Sequence, residues 1–461
     1  MFFADTNADG SLERSVGSAE ARDYVSAGFW AWPAHFLFFL MLAFPMVTSL
    51  LYVKAFLIAL LLLFVAVRGV ARFCLHLHLK TIAWTLALAY VSFFFCLRGM
   101  FLGTPGAVQC TQVYVIWPLV YLLLLGGIDS ARILKGLEKT LIFSAVFIAV
   151  FGAVYSLSLL NFLPEIPNLE VLLSTDDSGF SATDGYTRLS FPGINTLLFV
   201  VPFLVALVVV RWPQQKGGRW IPKLLLTALL LLNLAEVVIS GRRALQLVTM
   251  LAPFLTLALV SFQPPAEGLL LRRSLRQVMA VLVLGFIISV PLLGLVYSID
   301  FPGIADRFSQ GFDFSPTSFD DSPGARREQY FALMKGWHEH PLIGAGLGAS
   351  AYGSIRSETM PWAYELFYLD LLFQTGIFGF LAYTAGIAWI YWTGIRIIRQ
   401  GGPACQLLIP ILVGMSGLLI ATSANPFLAR FDGVWVIFLP VGVINFWLVG
   451  REAREPSLCA V

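Results

Sequence analysis

The chain has 461 residues, of which 58% are hydrophobic and 12% charged, and its mean hydropathy is +0.81. The charged fraction is about half that of an average soluble domain, so the composition indicates a membrane protein. The formal net charge of +3 is not gathered into a basic stripe, which argues against nucleic acid as a partner. The five cysteines lack paired spacing, which argues against a disulfide framework and against a zinc site.

The apolar segments predict an all-α integral membrane protein with about twelve transmembrane helices, because one membrane span needs about 20 apolar residues. The predicted spans are 30–51, 55–70, 82–102, 107–127, 139–160, 191–211, 223–240, 244–262, 277–297, 364–394, 405–424 and 433–449. The second is short and the tenth is long. In the tenth, Gly376 and Gly379 are predicted to serve helix packing.

Lysine and arginine are enriched in every second connection, which predicts that both termini are cytoplasmic. The first 28 residues are polar and mixed in charge, so no cleavable signal sequence is predicted. The predicted organisation is a cytoplasmic tail (1–28), nine helices with a periplasmic loop at 161–190 (29–297), a large periplasmic loop carrying short helices (298–363), three helices (364–450) and a cytoplasmic tail (451–461). Long loops on a rigid scaffold commonly carry function, so the two periplasmic loops are where a site is expected.

The large loop contains an unusually polar stretch, GARREQYFALMKGWHEHPLIGAGLGAS, which begins at Gly324. Apolar residues at three- and four-residue spacing predict a surface helix over 326–338. Beyond it, the glycines at 344, 346 and 348 permit a tight turn or the close approach of a ligand.

Four arginines near the predicted outer ends of spans are candidate anion ligands: Arg188, Arg242, Arg243 and Arg326. An arginine at this depth is costly unless it reaches water or binds an anion, and its planar guanidinium suits phosphate. Arg242 and Arg243 could instead extend to the lipid headgroups or pair with Glu236. Arg188 could pair with acids of the preceding loop, and Arg326 could belong to a solvated helix face.

Cations from three separate connections at one level of the bilayer would suit an anionic lipid headgroup such as a diphosphate. Such a ring could stabilise the charge that grows on a leaving diphosphate without a metal ion. The sequence has no Asp-rich motif of the kind that holds magnesium, so neither a metal nor another cofactor is predicted.

A transfer reaction also needs a group that accepts the proton of an attacking hydroxyl. The candidates are Glu365, at the start of the tenth span, and His338 and His340 in the large loop. Asp370 is a second choice. Glu365 could alternatively be a helix-start acid stabilised by the helix dipole.

Several of these motifs together resemble the O-antigen polymerase and O-antigen ligase superfamily. They are Arg326 followed by Tyr330, HPLIGAGLG from His340 to Gly348, and YLDLLFQTGIFG, preceded by TRLSFPGIN and SGRRALQL. The resemblance covers roughly the C-terminal two thirds of the chain, and its specificity lies in the order and spacing of the motifs.

The resemblance implies a GT-C-like glycosyltransferase of the bacterial inner membrane with its active site at the periplasmic face. Such proteins transfer a glycan from undecaprenyl diphosphate to a second acceptor. By motif match, Arg188, Arg242 or Arg243, and Arg326 would bind the diphosphate. The implied partners are the lipid-linked donor and acceptor, membrane lipids and a chain-length-regulating co-polymerase.

Ligases of this superfamily carry a histidine at a register that falls on Glu365 here. That departure favours a polymerase that joins repeat units of O-antigen, capsule or exopolysaccharide, with a ligase acting on lipid A-core as the alternative. A flippase for lipid-linked oligosaccharides is the alternative of another class, although transporters tend to show two related halves and ionisable residues near mid-membrane. A scaffold for other envelope enzymes would not need paired arginines near lipid.

Overall fold

A computed structural model describes most of the chain. The described residues are 31–45, 47–72, 75–159, 162–163, 179–183, 186–212, 220–265, 268–280, 283, 321–354 and 358–452. The predicted ninth span, 277–297, and the first part of the large loop, up to residue 320, lie largely outside them.

The described residues are predominantly α-helical. The helices are α1 (Ala31–Ala43), α2 (Leu51–Arg72), α3 (Leu79–Phe101), α4 (Ala107–Leu125), α5 (Ala131–Leu159), α6 (Leu197–Arg211), α7 (Trp220–Ser240), α8 (Arg243–Val260), α9 (268–280), α10 (Asp321–Glu339), α11 (Phe367–Gln400), α12 (Pro403–Thr422) and α13 (Trp435–Glu452). Eight segments, lying in α3 to α8, α11 and α12, are long and apolar enough to cross a membrane. The protein is therefore an α-helical membrane protein. The predicted count of about twelve spans is not confirmed.

The first predicted span, 30–51, is shorter in the structure, because α1 ends at Ala43. Pro45 follows closely, and the residue before a proline is disfavoured in helical conformation. The chain then turns into α2, where the buried Lys54 donates through Nζ to the carbonyl of Phe44 at 2.7 Å and lies 3.8 Å from Asp432. This lysine therefore stabilises the turn between the two helices.

Helix α6 forms the centre of the bundle, and all its residues from Leu197 to Val210 are buried. It packs against α7, α8 and α12. Two glycines of α12 let the helices approach closely: a Cβ on Gly414 would lie 2.9 Å from the Phe199 ring, and one on Gly417 would lie 2.7 Å from the carbonyl of Leu198. Small residues at such interfaces are the usual means of packing helices in lipid.

Three helices begin at the same end of the bundle, where α12 ends. Gly417 of α12 contacts Leu198 at the start of α6 and Val248 in the second turn of α8. Near it, Leu419 accepts a 2.6 Å hydrogen bond from the hydroxyl of Tyr368, which is the second residue of α11. The starts of α6, α8 and α11 are thus neighbours of one short stretch of α12.

A two-stranded antiparallel hairpin leads into this end, which we call the hairpin end. Its strands are β1 (Gly179–Thr183) and β2 (Tyr186–Ser190), paired from Gly179 with Ser190 to Thr183 with Tyr186. The sequence predicted an ordered loop over 161–190 but not a hairpin. A 3₁₀ turn over Pro192–Thr196 connects β2 directly to α6.

The opposite end of the bundle carries cations stacked over aromatic rings, a combination typical of a membrane interface. The pairs are Lys223 with Trp212, Arg399 with Phe262, Arg396 with Trp392, and Arg451 with Trp447. Arg211 of α6 also lies there and forms an ion pair of 2.5 Å with Glu138 of α5.

The predicted surface helix over 326–338 is confirmed as α10. It packs against the start of α11 rather than resting only on the surface. Leu333 is fully buried there, and a Cβ on Gly336 would lie 2.5 Å from the ring of Phe373. This helix therefore covers the end of the membrane helix that follows it in the chain.

The glycine-rich segment after α10 approaches other parts of the protein very closely. Gly344, Gly346 and Gly348 all have positive φ. A Cβ on Gly346 would lie 2.7 Å from the backbone of Gly99, and one on Gly348 would lie 2.2 Å from the backbone of Gly106. Gly346 and Gly348 thus permit close approach to the end of α3 and the start of α4, and side chains at these two positions would separate the elements.

Gly376 interrupts α11, with φ 62° and ψ −170°. Two backbone amides of the glycine-rich segment donate to the carbonyls of residues 373 and 374, and the amides of residues 377 and 378 donate to the carbonyls of Pro341 and Leu342. These bonds satisfy backbone groups that the interruption releases, as lipid requires. The predicted helix-packing role is therefore replaced, at Gly376, by packing against the segment that follows α10. It holds for Gly379, where a Cβ would lie 2.7 Å from the Phe95 ring.

Gly376→Ala should destabilise the protein by at least about 1–3 kcal/mol, because a residue with a side chain is strained at this φ. The added Cβ would also lie 2.4 Å from the backbone of Leu342, which cannot move freely. The thermal midpoint of the purified protein in detergent measures the effect. Gly353→Ala is the matched control, because Gly353 has φ 89° but no atom within 4 Å of its Cβ position. An equal loss of stability in both variants would contradict the described contact.

Candidate functional site

Arg242 is held at the hairpin end by side chains from two other elements. It lies between α7 and α8, which are joined only by Gly241 and Arg242 itself. Its Nη2 donates to Ser190 Oγ of β2 at 2.8 Å, and its Nη1 donates to Asn195 Oδ1 of the 3₁₀ turn. The guanidinium is therefore oriented by the hairpin and the start of α6. The alternative in which Arg242 simply extends to the lipid headgroups is not what the structure shows.

Two other predicted arginines lie at this end of the bundle. The backbone of Arg188 pairs with Ser181 in the hairpin, two residues or about 7 Å along β2 from Ser190. Its side chain is outside the described part of the structure. Arg243 is the first residue of α8 and is partly exposed. The hairpin and the α7–α8 connection thus bring three of the four predicted arginines to one end of the bundle.

Glu236, the alternative partner of these arginines, is buried in α7. Its Oε2 has no hydrogen-bond partner among the described residues. An ion pair between Glu236 and Arg242 or Arg243 is therefore not seen there.

Arg326 and Glu365, predicted for different roles, form an ion pair between α10 and the start of α11. The Nε of Arg326 lies 2.5 Å from Oε2 of Glu365, and the backbone amide of Glu365 donates to Gln329 Oε1 at 2.9 Å. The two side chains are 33% and 17% exposed, so both can still be reached from solvent. A pair this exposed contributes about 0–1 kcal/mol to stability, which leaves it weak enough for a ligand to open.

His338 and His340 do not join this pair. Both are exposed and lie at and just beyond the C-terminal end of α10, whereas Arg326 lies near its N-terminal end. Twelve helical residues separate Arg326 from His338, or about 18 Å along the axis. The structure therefore places neither histidine within hydrogen-bond reach of Glu365 or Arg326.

Asp370, the second choice for a base, has a structural role. It is buried, and its Oδ1 accepts a 2.6 Å hydrogen bond from Gln374 Nε2. Gln374 Oε1 in turn accepts from the backbone amide of Gly348 at 2.8 Å. Asp370 thus orients a side chain that fixes the glycine-rich segment.

Tyr364, immediately before Glu365, anchors the segment between α10 and α11. Its hydroxyl accepts from the amide of Ala351 at 2.6 Å and donates to the carbonyl of Ser354. Burial raises the pKa of Tyr364 to about 12, so the phenol keeps its proton and both hydrogen bonds at physiological pH. Glu365 therefore follows a rigid residue.

The two groups, Arg242 with its partners and Arg326 with Glu365, lie at the same end of the bundle because α8 and α11 both begin there. Arg242 and Arg326 are both partly exposed, and Arg326 has the carboxylate of Glu365 beside it. Within the described ranges, no group of three or more His, Cys, Asp or Glu side chains is placed to hold a metal ion. Chemically, the arrangement suits an anion and a hydroxyl that loses a proton.

Sequence reasoning missed the side chains that position these groups. Ser190 and Asn195 hold Arg242, and both lie in TRLSFPGIN, a motif that was noted for Arg188 alone. Gln329 holds the backbone of Glu365 and lies one helical turn after Arg326. The sequence did offer one signal for these positioning side chains, namely polar residues close to a candidate arginine.

Comparison with models of known protein families gives no match, and comparison with curated proteins also gives none. The fold and the site together define the class of protein: an α-helical membrane protein with positioned arginines and an accessible carboxylate at one end of its helix bundle.

Proposed function

We propose that the protein is a periplasmic-face glycosyltransferase of the bacterial inner membrane, which polymerises undecaprenyl-diphosphate-linked repeat units of O-antigen, capsule or exopolysaccharide. The observation that carries this proposal is the guanidinium of Arg242, which Ser190 and Asn195 hold at the end of the bundle where Arg326 and Glu365 also lie. Fixed arginines at one level near the membrane surface suit the diphosphate of a lipid-linked donor.

In the proposed reaction, a sugar hydroxyl of the acceptor attacks the anomeric carbon of the donor glycan. The bond between that carbon and the diphosphate oxygen breaks, and undecaprenyl diphosphate leaves. Arg242 and Arg326, with Arg243 next to Arg242 and Arg188 on the strand that holds Arg242, stabilise the negative charge that grows on the leaving oxygen. Glu365 receives the proton of the attacking hydroxyl.

Diphosphate binding would also prepare the base. Arg326 is bonded to Glu365 in the structure, and a diphosphate has more negative charge and more acceptor oxygens than a carboxylate. The donor would therefore draw Arg326 away from Glu365, and the carboxylate would then accept the proton. Gln329 would keep the backbone of Glu365 in place during this exchange.

A flippase for lipid-linked oligosaccharides is the second candidate, and one observation favours it: Glu236 is buried within a membrane-spanning helix, as ionisable residues of transporters often are. The ligase alternative predicts the same arginine chemistry with a different acceptor.

Deletion of the gene separates these candidates. We expect cells that lack the protein to display single repeat units attached to their normal surface acceptor, because unit export and attachment continue without elongation. Gel electrophoresis of surface glycan checks this, and re-expression of the protein should restore long chains. Loss of all surface sugar would indicate the flippase and contradict the proposal. Full-length chains that remain on their lipid carrier would indicate the ligase.

A further inference from the structure

Glu236 lies in the packed interface between α5 and α7, in a space made by a glycine. Its side chain is 2% exposed. It contacts Gly152 of α5 so closely that a Cβ there would lie 2.6 Å from Oε2, 2.7 Å from Cδ and 2.9 Å from Oε1. Any residue larger than glycine at position 152 would occupy the place of the carboxyl group.

Three polar side-chain atoms of α5 and α7 lack hydrogen-bond partners among the described residues. Oε2 of Glu236, Oδ1 of Asn233 and Oγ of Ser144 are all buried and without a hydrogen-bond partner among the described residues. Asn233 lies one helical turn before Glu236 on α7, and its amide nitrogen donates to carbonyls of Leu229 and Ala145. Among the described residues, therefore, no donor reaches Oε2 of Glu236 to stabilise a negative charge.

The elements packed against α7 supply few titratable groups. On α5 the nearest is Tyr155, three residues beyond Gly152. The first part of α6 is apolar up to Arg211 at its far end. Arg242 and Arg243 follow the end of α7, and Arg188 lies on β2, which contacts α7.

We propose that Glu236 is a proton-binding site within the membrane: the folded protein holds it as a neutral carboxylic acid in the space left by Gly152. A carboxylate without a partner is strongly disfavoured in a buried, apolar interface, whereas the neutral acid is tolerated. Ser240 and Arg242 lie four and six residues further along the chain. Loss of the proton would place a charge in the α5–α7 interface, six residues before the arginine that the hairpin holds. This site is independent of glycosyl transfer and would exist in a protein of any activity.

Infrared spectroscopy of the purified full-length protein tests the proposal, because a neutral carboxylic acid has a carbonyl stretch distinct from that of a carboxylate. We expect this band at pH 7.5 in the wild type and its loss in Glu236→Gln. Glu138→Gln is the matched control: Glu138 lies in the same bundle but is paired with Arg211, so this change should leave the band unaltered. The proposal is overturned if Glu236→Gln leaves the neutral-acid band unchanged, or if sodium chloride at constant pH removes the band, which would assign the site to a metal cation.

Thermal stability gives a second readout. The folded state retains the proton of Glu236 while the unfolded chain releases it, so the folded state binds more protons and its stability falls as pH rises. Glu236→Gln is neutral at every pH. The variant should therefore match the wild type at about pH 4, where the unfolded chain also keeps the proton, and should exceed its melting temperature increasingly as the pH rises to neutrality and above. A difference that is constant with pH, or a variant that is less stable throughout, would contradict the proposal.

Discussion

Arg242→Ala is expected to lower the rate of glycan extension by about 100-fold or more, because in the proposed reaction it removes a preorganised donor to the leaving diphosphate. In the structure the guanidinium is already oriented by Ser190 and Asn195, so its position costs no reorganisation when the donor binds. The measurement is the length distribution of the product made by purified protein from a lipid-linked repeat unit.

Two variants control for this result. Arg211→Ala also removes a hydrogen-bonded arginine from the bundle, but at the opposite end, where Arg211 pairs with Glu138. It should retain extension. Arg242→Lys keeps the charge without the planar fork and should recover only part of the activity. Wild-type chain lengths from Arg242→Ala, or an equal loss in Arg211→Ala, would argue against a role for this arginine in the reaction.

Arg326→Ala should reduce extension by a similar factor of about 100, whereas Arg327→Ala should leave it near the wild-type rate. The two residues are neighbours on α10 with the same charge, and they differ in what they contact. Arg326 is bonded to Glu365, while Arg327 is exposed and lies over the ring of Phe331 at 5.8 Å. The comparison therefore separates the ion pair from the general charge of the helix.

Glu365→Gln completes this comparison. It removes the proposed proton acceptor while preserving the size of the side chain and the backbone contact with Gln329. Loss of a general base typically lowers the reaction rate by about 100- to 10,000-fold. Donor binding should persist, because Arg326 is then free for the diphosphate. Equal activities of the Arg326 and Arg327 variants, or full activity of Glu365→Gln, would be inconsistent with the proposed roles.

Long apolar segments could be predicted well from the sequence. The span predicted at 191–211 matches the observed Pro192–Arg211, because every residue from Leu197 to Val210 packs in the core and the run is apolar on all sides. The helix α10 was also predicted, since its apolar residues follow helical spacing. Both features depend mainly on local sequence.

Features that depend on contacts between distant segments could not be predicted. The break in α11 at Gly376 exists because the glycine-rich segment supplies hydrogen bonds to it. Arg326 and Glu365 are 39 residues apart and meet only because α10 folds back over α11. Each residue alone also fits a separate role, a phosphate ligand for Arg326 and a proton acceptor for Glu365. The sequence therefore predicted the two roles but not the ion pair.

The arginine site was predicted in part. The position of Arg242 near the predicted outer end of a span indicated either an anion ligand or a side chain that extends to the lipid headgroups. The structure shows a guanidinium held by two polar side chains. His338 and His340 were predicted as candidate proton acceptors because histidine as a residue type titrates near neutral pH. Their position at the far end of α10 from Arg326 depends on helix length and packing.

The most direct test of the proposed function is reconstitution of the purified protein in lipid vesicles with a lipid-linked repeat unit as the sole substrate. A polymerase needs no further acceptor, because one lipid-linked unit serves as donor and another as acceptor. We predict a ladder of products that differ by one repeat unit, together with release of undecaprenyl diphosphate. Unchanged substrate, or product only after lipid A-core is added, would contradict the assignment as a polymerase.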